Sequence, residues 1–184
     1  MRLAAIAILA VLFMIPGTLA GQSQPARTLT MASALQQKYE EIKRNLRETA
    51  EAMPEGDFTY RPTVAIRSFG ELFGHVANSQ FNNCSIAKAE PNPSSGTDNE
   101  TKATRVEILK ALNDSFAYCD TAYAALTSET AMQMVRQGEN QVMRGYALMN
   151  NVWHNTEVYG SAATYLRLKG LITRPGADDL SRHR

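Results

Sequence analysis

Three histidines and two cysteines bound the chemistry open to this 184-residue chain. Four cysteines for a zinc site are not available, and a site of two cysteines with two histidines would consume nearly the whole supply. His75 lies on a strip with Leu72, Asn78, Ser79 and Asn82. His154 sits within Asn150-Asn-Val-Trp-His154-Asn-Thr-Glu157-Val158-Tyr159-Gly160. Neutral imidazole is the commonest protein ligand for zinc and its neighbours, so two inward histidines on different helices can converge on one divalent ion of the zinc or nickel type. A lone half-buried histidine is more often a hydrogen-bonded core residue, and the residues alone leave both readings open. Glu157, three residues after His154, can share its face as a third ligand or a general acid or base; a solvent-facing carboxylate is the alternative. Asn150, Asn151 and Asn155 make this stretch polar for a core helix, which points to a cavity or a polar network, although a wet bundle face would look the same. Trp153 and Tyr159 read as packing residues. No serine stands near a base in a recognisable triad, and there is no glycine-rich phosphate loop. Asn99-Glu-Thr101 and Asn113-Asp-Ser115 match the glycosylation sequon, a pattern common by chance.

Four helices must position these groups. From Thr30 to Met53 the apolar positions Leu35, Tyr39, Ile42, Leu46, Ala50 and Met53 recur at intervals of three and four, so the spacing predicts an amphipathic helix that Pro54-Glu-Gly56 ends. Ser68-Phe-Gly-Glu71 has capping-box spacing, and the second helix is expected from about Phe69 to Lys88. Glu90-Pro-Asn-Pro-Ser-Ser-Gly96 must be loop, because two prolines remove backbone donors. Leu109, Leu112, Phe116, Cys119, Tyr123 and Leu126 define a third helix. A fourth begins between Gln141 and Gly145 and runs to Lys169, with Gly170 as its cap. Residues 127–140 have room for a short extra turn.

Arg2 followed by the uncharged run Leu3–Ile15, then Pro16-Gly17 and the small residues around Ala20, reads as a secretory signal peptide over residues 1–20, cut before Gly21. A bilayer-spanning helix needs about 20 apolar residues, so a retained anchor is the lesser alternative and no stable anchor is expected after cleavage. The expected layout is a leader over 1–20, a flexible segment over 21–29, the helical domain over 30–175 and a disordered tail over 176–184. Loss of Arg2 leaves 18 charges of each sign. A net-zero domain lacks the electrostatic attraction that nucleic-acid binding needs.

Export to the periplasm or beyond favours a Cys84–Cys119 disulfide over two buried free thiols. Such a bond restricts the topology. In an antiparallel hairpin of helices two and three the two residues would stand about 20 Å apart at ~1.5 Å per residue, which no disulfide closes. In parallel helices both lie near the C-terminal ends. The connection from Ala89 to Glu100 can reach ~40 Å extended, enough to return along a helix of about 30 Å. The expectation is an all-α four-helix bundle with a long crossover between helices two and three.

The segments Arg67-Ser-Phe-Gly-Glu-Leu-Phe-Gly-His75-Val-Ala-Asn-Ser-Gln80 and His154-Asn-Thr-Glu157-Val-Tyr-Gly160, with Thr164-Tyr-Leu-Arg-Leu-Lys-Gly170, resemble the DinB-like family over most of the chain beyond the leader. The resemblance implies a bundle of up-down-down-up order and a metal site of one histidine on helix two and two, four apart, on helix four. His75 and His154 match the first two positions; the third is Val158, which cannot coordinate. Activities assigned within the family include thiol transfer and isomerisation with small intracellular thiols, and other members are known by their induction on DNA damage. Neither transfers directly to an exported, net-neutral chain.

Two readings follow. The first is a non-catalytic or degenerate-site member that binds a small molecule or protein through a polar cavity between helices two and four. The second is a divalent-metal-dependent enzyme of hydrolase or thiol-transferase type, with His75 and His154 as ligands and Glu157 as acid or base. A homodimer through an outer helix face is compatible with either.

Overall fold

The computed structural model describes residues 28–171; the leader over 1–20, the chain up to residue 27 and the expected tail over 176–184 lie outside the described residues. These residues form an all-α bundle of four long helices, α1 (Met31–Ala52), α2 (Phe69–Lys88), α3 (Arg105–Ala124) and α5 (Arg144–Leu168). A single turn, α4 (Ser128–Ala131), and a hairpin of β1 (Met134–Gln137) and β2 (Asn140–Met143) lie between α3 and α5.

Local chemistry sets the helix starts. Thr30, Ser68 and Thr104 each accept the N3 backbone N–H, while Ser33, Glu71 and Glu107 return a bond to the cap's own N–H. Two otherwise orphaned donors are thereby satisfied at each start, an arrangement in which the cap alone contributes roughly 1 kcal/mol. Ala89, with φ 56°, ends α2 in the left-handed conformation, its N–H bonded back to the last turn.

The buried residues are those of the three-four repeats: Tyr39, Ile42 and Leu46 from α1, Phe69, Phe73 and Val76 from α2, Leu112 and Phe116 from α3, Leu148 and Leu166 from α5. Tyr39 stacks on Tyr123 with ring centroids 3.8 Å apart and donates to Asp120 Oδ1 at 2.6 Å; burial first, then that carboxylate, raises its pKa.

Contacts between α2 and α3 rise together along both helices: Gly70 with Ile108, Gln80 with Ser115, Cys84 with Cys119. These two helices run in the same direction. Cys84 and Cys119 form a disulfide with Cα atoms 5.4 Å apart. Partners run in opposite order between α1 and α3, where Tyr39 meets Phe116 and Arg105 reaches Glu51, and between α2 and α5, where His75 meets His154 and Asn83 meets Asn150.

The connection from α2 to α3 returns along the bundle and includes a 3-10 turn at Asn99–Thr101. It lies against α2 so closely that a Cβ on Gly74 would collide with the Asn99 carbonyl and the Glu100 backbone. The segment 127–140, expected to hold one turn, contains both α4 and the start of a hairpin closed at Gly138, where φ is +61°.

Candidate functional site

Helix α2 carries His75 and α5 carries His154, and the antiparallel packing of the two helices brings Nε2 of one to 3.0 Å from Nε2 of the other. The rings are tilted by 52° with centroids 4.8 Å apart, so the contact is made edge on through nitrogen. On its other side His75 Nδ1 lies 2.6 Å from Glu100 Oε1, and Arg67 Nε donates to Glu100 Oε2 at 2.7 Å. The result is a chain of polar groups, Arg67, Glu100, His75 and His154, in which the carboxylate fixes Nδ1 of His75 as a donor and leaves Nε2 facing His154. Glu100 also holds Arg67 more firmly in its charged form.

The crossover delivers Glu100 by a network of its own. Asn78 on α2 donates to Asp98 Oδ1 at 2.8 Å, its own Oδ1 accepts from the Asn99 N–H and side-chain amide, and Asp98 accepts the Glu100 N–H at 2.9 Å. That backbone N–H, with the Asn78 amide next, holds the Asp98 carboxyl below the usual range. Glu100 was not among the residues singled out from sequence, because it stands 25 positions from its partner in a polar loop. Gly74, a mid-helix glycine beside His75, is the available signal, since such a glycine marks close approach of another backbone.

His154 is half-buried, and desolvation, followed by the charge of His75, lowers its pKa. Its Nδ1 and the Oδ1 of Asn155 are both buried without a completed hydrogen bond, although the neighbouring amide acts on the ring in favour of its charged form. Glu157 is exposed; its charge reaches His154 but its carboxylate makes no hydrogen bond to the pair. Val158, one turn beyond His154, is buried in the apolar core with 8% exposure.

The donor set can be compared with the three-histidine centre that the family resemblance implies. Two Nε2 atoms on one tetrahedral ion stand about 3.3 Å apart, close to the spacing here, and a carboxylate behind one histidine is the usual outer-shell partner. The third position is aliphatic, Glu100 is engaged by His75 and Arg67, and among the described residues no group of three or more His, Cys, Asp or Glu is arranged to hold an ion. These residues do not fit a three-ligand metal centre.

Beside the histidine pair a cleft of about 860 Å³ opens between α2, α5 and the connection that precedes α2. Arg61, Arg67, Glu71, Leu72, Glu100 and Tyr165 line it. Arg61 pairs with Glu71 at 2.9 Å, and the Tyr165 hydroxyl donates to the Arg67 carbonyl at 2.7 Å. The Ser68 N–H, with help from Arg61, holds the Glu71 carboxyl below its ordinary range.

The three asparagines of α5 form a network rather than lining this cleft. Asn150 donates to Asn83 at 2.9 Å, Asn151 to the Tyr123 hydroxyl at 3.1 Å, and Asn155 to Asn151 at 3.4 Å. Tyr159 packs against the core, whereas Trp153, expected as a packing residue, is 62% exposed.

The comparisons with known proteins agree with this architecture. A family model for the DinB superfamily matches residues 38–157, well over half of the chain, and the chain belongs to that superfamily. Among solved structures, a DinB-like protein of Bacillus subtilis, YjoA, superposes with a TM-score of 0.63 at 17% identity, covering 77% of this chain and 96% of its own. A conserved protein of Enterococcus faecalis gives 0.60 at 15% identity, with 77% and 98% covered. At such identities the likeness concerns the fold. No curated protein matches the chain.

Proposed function

We propose that this DinB-superfamily chain is an exported, non-catalytic member that has lost the family's metal centre and binds a small molecule or a protein segment in the cleft between α2 and α5. The observation that carries the reading is the fate of the ligand set: the third position is a buried valine, and the two remaining histidines are tied into a hydrogen-bonded chain with Glu100 and Arg67. Imidazoles so engaged back Glu100, which with Arg67 lines the cleft, and do not line it themselves. The paired charges of both signs around the apolar Leu72 and Tyr165 suit a ligand with a polar head and a compact apolar body. Export rests on the leader-like residues 1–20 and on a disulfide that an oxidising compartment would maintain.

The second reading, a divalent-metal-dependent enzyme, is favoured by one observation, the 3.0 Å separation of the two Nε2 atoms. Elemental analysis of protein purified from the periplasm, without chelator or tag histidines and beside a His75→Ala control, decides between them. The proposal expects no stoichiometric ion in either sample and no change in Tm on adding zinc or nickel. About one ion per chain, absent from the control, would replace it with the metal reading.

A further inference from the structure

The polar atoms of the cleft beside the histidine pair are largely committed to one another. Glu71 accepts from Arg61 at Oε1 and from the Ser68 N–H at Oε2, while Glu100 accepts from His75 at Oε1 and from Arg67 at Oε2. Both carboxylates are therefore supplied with a donor at each oxygen. The hydroxyl protons are spent as well: Ser161 donates to the Glu157 carbonyl, Thr164 to that of Gly160 and Tyr165 to that of Arg67. The guanidinium groups are the exception. Arg61 reaches Glu71 through Nη2 alone, and Arg67 uses Nε and, at 3.4 Å, Nη2 on Glu100, which leaves Nη1 of both and Nε of Arg61 without an acceptor among the described residues. The spare capacity of the cleft is that of a donor.

Apolar surface stands beside those donors. The segment Arg61-Pro-Thr-Val-Ala-Ile-Arg67 contains no acidic residue. Val64 and Ile66, exposed by 94% and 42%, line the cleft together with the buried Leu72. One short segment thus sets aliphatic side chains between two arginines. Paired with Glu71 and Glu100, these arginines leave the cleft without net charge, so selection happens at contact rather than at a distance.

Resting on the reading of this cleft as a binding site, we infer that its ligand is an amphiphile with an acceptor-only anionic head, a carboxylate or a phosphate monoester. The head is held by the unused N–H groups of Arg61 and Arg67, and an aliphatic chain lies along Val64, Ile66 and Leu72. The planar guanidinium fork matches either oxyanion, and each bond it makes to one is charge-assisted. A cationic head would meet two fixed positive charges and carboxylate oxygens that already have donors. A neutral hydroxyl would gain no charge assistance. Glu71 and Glu100 oppose the anion, so affinity depends on the chain as well as the head. The cleft volume of about 860 Å³ is of the size that takes a small molecule with a short chain.

The test is calorimetric titration of the protein purified from the periplasm with octanoate, octyl phosphate, octanol and octylamine, each kept below its micellar concentration. Backbone amide shifts of residues 64–67 in NMR locate the binding. Octanoate or octyl phosphate should bind at least about tenfold more tightly than octanol and octylamine, and the stronger of the two anions identifies the head. Acetate and inorganic phosphate, heads without a chain, should bind at least about tenfold more weakly than their octyl counterparts. Arg61→Gln and Arg67→Gln should each weaken the anions at least about fivefold and leave octanol unaffected. An unchanged Tm in both variants separates lost recognition from misfolding, because both side chains stand at the surface. Octanol or octylamine bound at these amides as tightly as the anions, or anions indifferent to both arginine substitutions, would overturn the inference and leave the cleft a binding site. No shift with any of the four octyl probes would overturn it together with the small-molecule reading on which it rests.

Discussion

The seam between α2 and α5 has two ends of opposite character. Around Cys84, Asn151 and Tyr123 it is closed: the disulfide crosses to α3, Asn151 donates to the Tyr123 hydroxyl, and that hydroxyl donates to the Leu148 carbonyl at 2.8 Å, all of them buried. Around His75 and His154 the same two helices hold partly exposed imidazoles, a surface ion pair and an open cleft. One end fixes the helices with groups that have nowhere else to go. The other ties its imidazoles to each other and to Glu100, next to a cleft that opens to solvent. Polarity on a core helix therefore does not by itself mark a site: Asn151 and His154 are three residues apart, and only their surroundings separate structure from chemistry.

Breaking the closed end should have the largest effect. Replacing both cysteines by alanine removes a cross-link between residues 35 apart and should lower stability by about 3–4 kcal/mol, roughly a 10 °C fall in Tm by calorimetry. Next comes Gly74→Ala, which forces the crossover away from α2. A loss of about 1–3 kcal/mol is expected together with a changed imidazole environment for His75 by NMR, because Glu100 moves with its backbone. Asn151→Ala, which removes the amide donor to Tyr123 from a buried site, should cost about 1–3 kcal/mol in denaturant unfolding.

At the open end the effects are smaller and depend on pH. The folded state holds His154 below its ordinary value of 6.5, so on acidification the unfolded chain binds that proton first. Stability from this group is complete above about pH 6.5 and declines as pH falls through that value toward the lowered folded one. A Tm-against-pH series should show this slope in the native protein and lack it in His154→Gln. Glu100→Gln should change Tm least, by less than about 1 kcal/mol equivalent, since its pair with Arg67 is near the surface, yet it should still alter the His75 resonances.

Much of the closed end was legible in the chain. The three-four spacing of Leu35 to Met53 and of Leu109 to Leu126 reports which face is buried, Ser68 and Glu71 mark a helix start, and Cys84 with Cys119 requires parallel neighbours if bonded. The open end was half legible. His75 and His154 stood out as residue types, and the bundle brings them together. Glu100 did not, because its role depends on a loop that returns to α2, and loop conformation leaves no periodic trace. The hairpin after α4 escaped for a similar reason: its strands are four residues each and expose most of their side chains, so Val135 alone is buried and no alternation accumulates. Trp153 differs from expectation because large aromatics usually pack inside, whereas here the indole stands on the exposed side of α5.

In the function proposed above, the buried Val158 is what separates this chain from a metal-binding relative. The direct measurement is a calorimetric titration of chelator-stripped protein with zinc and with nickel, native beside Val158→His. No stoichiometric binding to the native chain is expected, and about one ion per chain with a raised Tm in the variant, lost again when His75→Ala is added. Tight, stoichiometric binding by the native protein, equal to that of the variant, would contradict it.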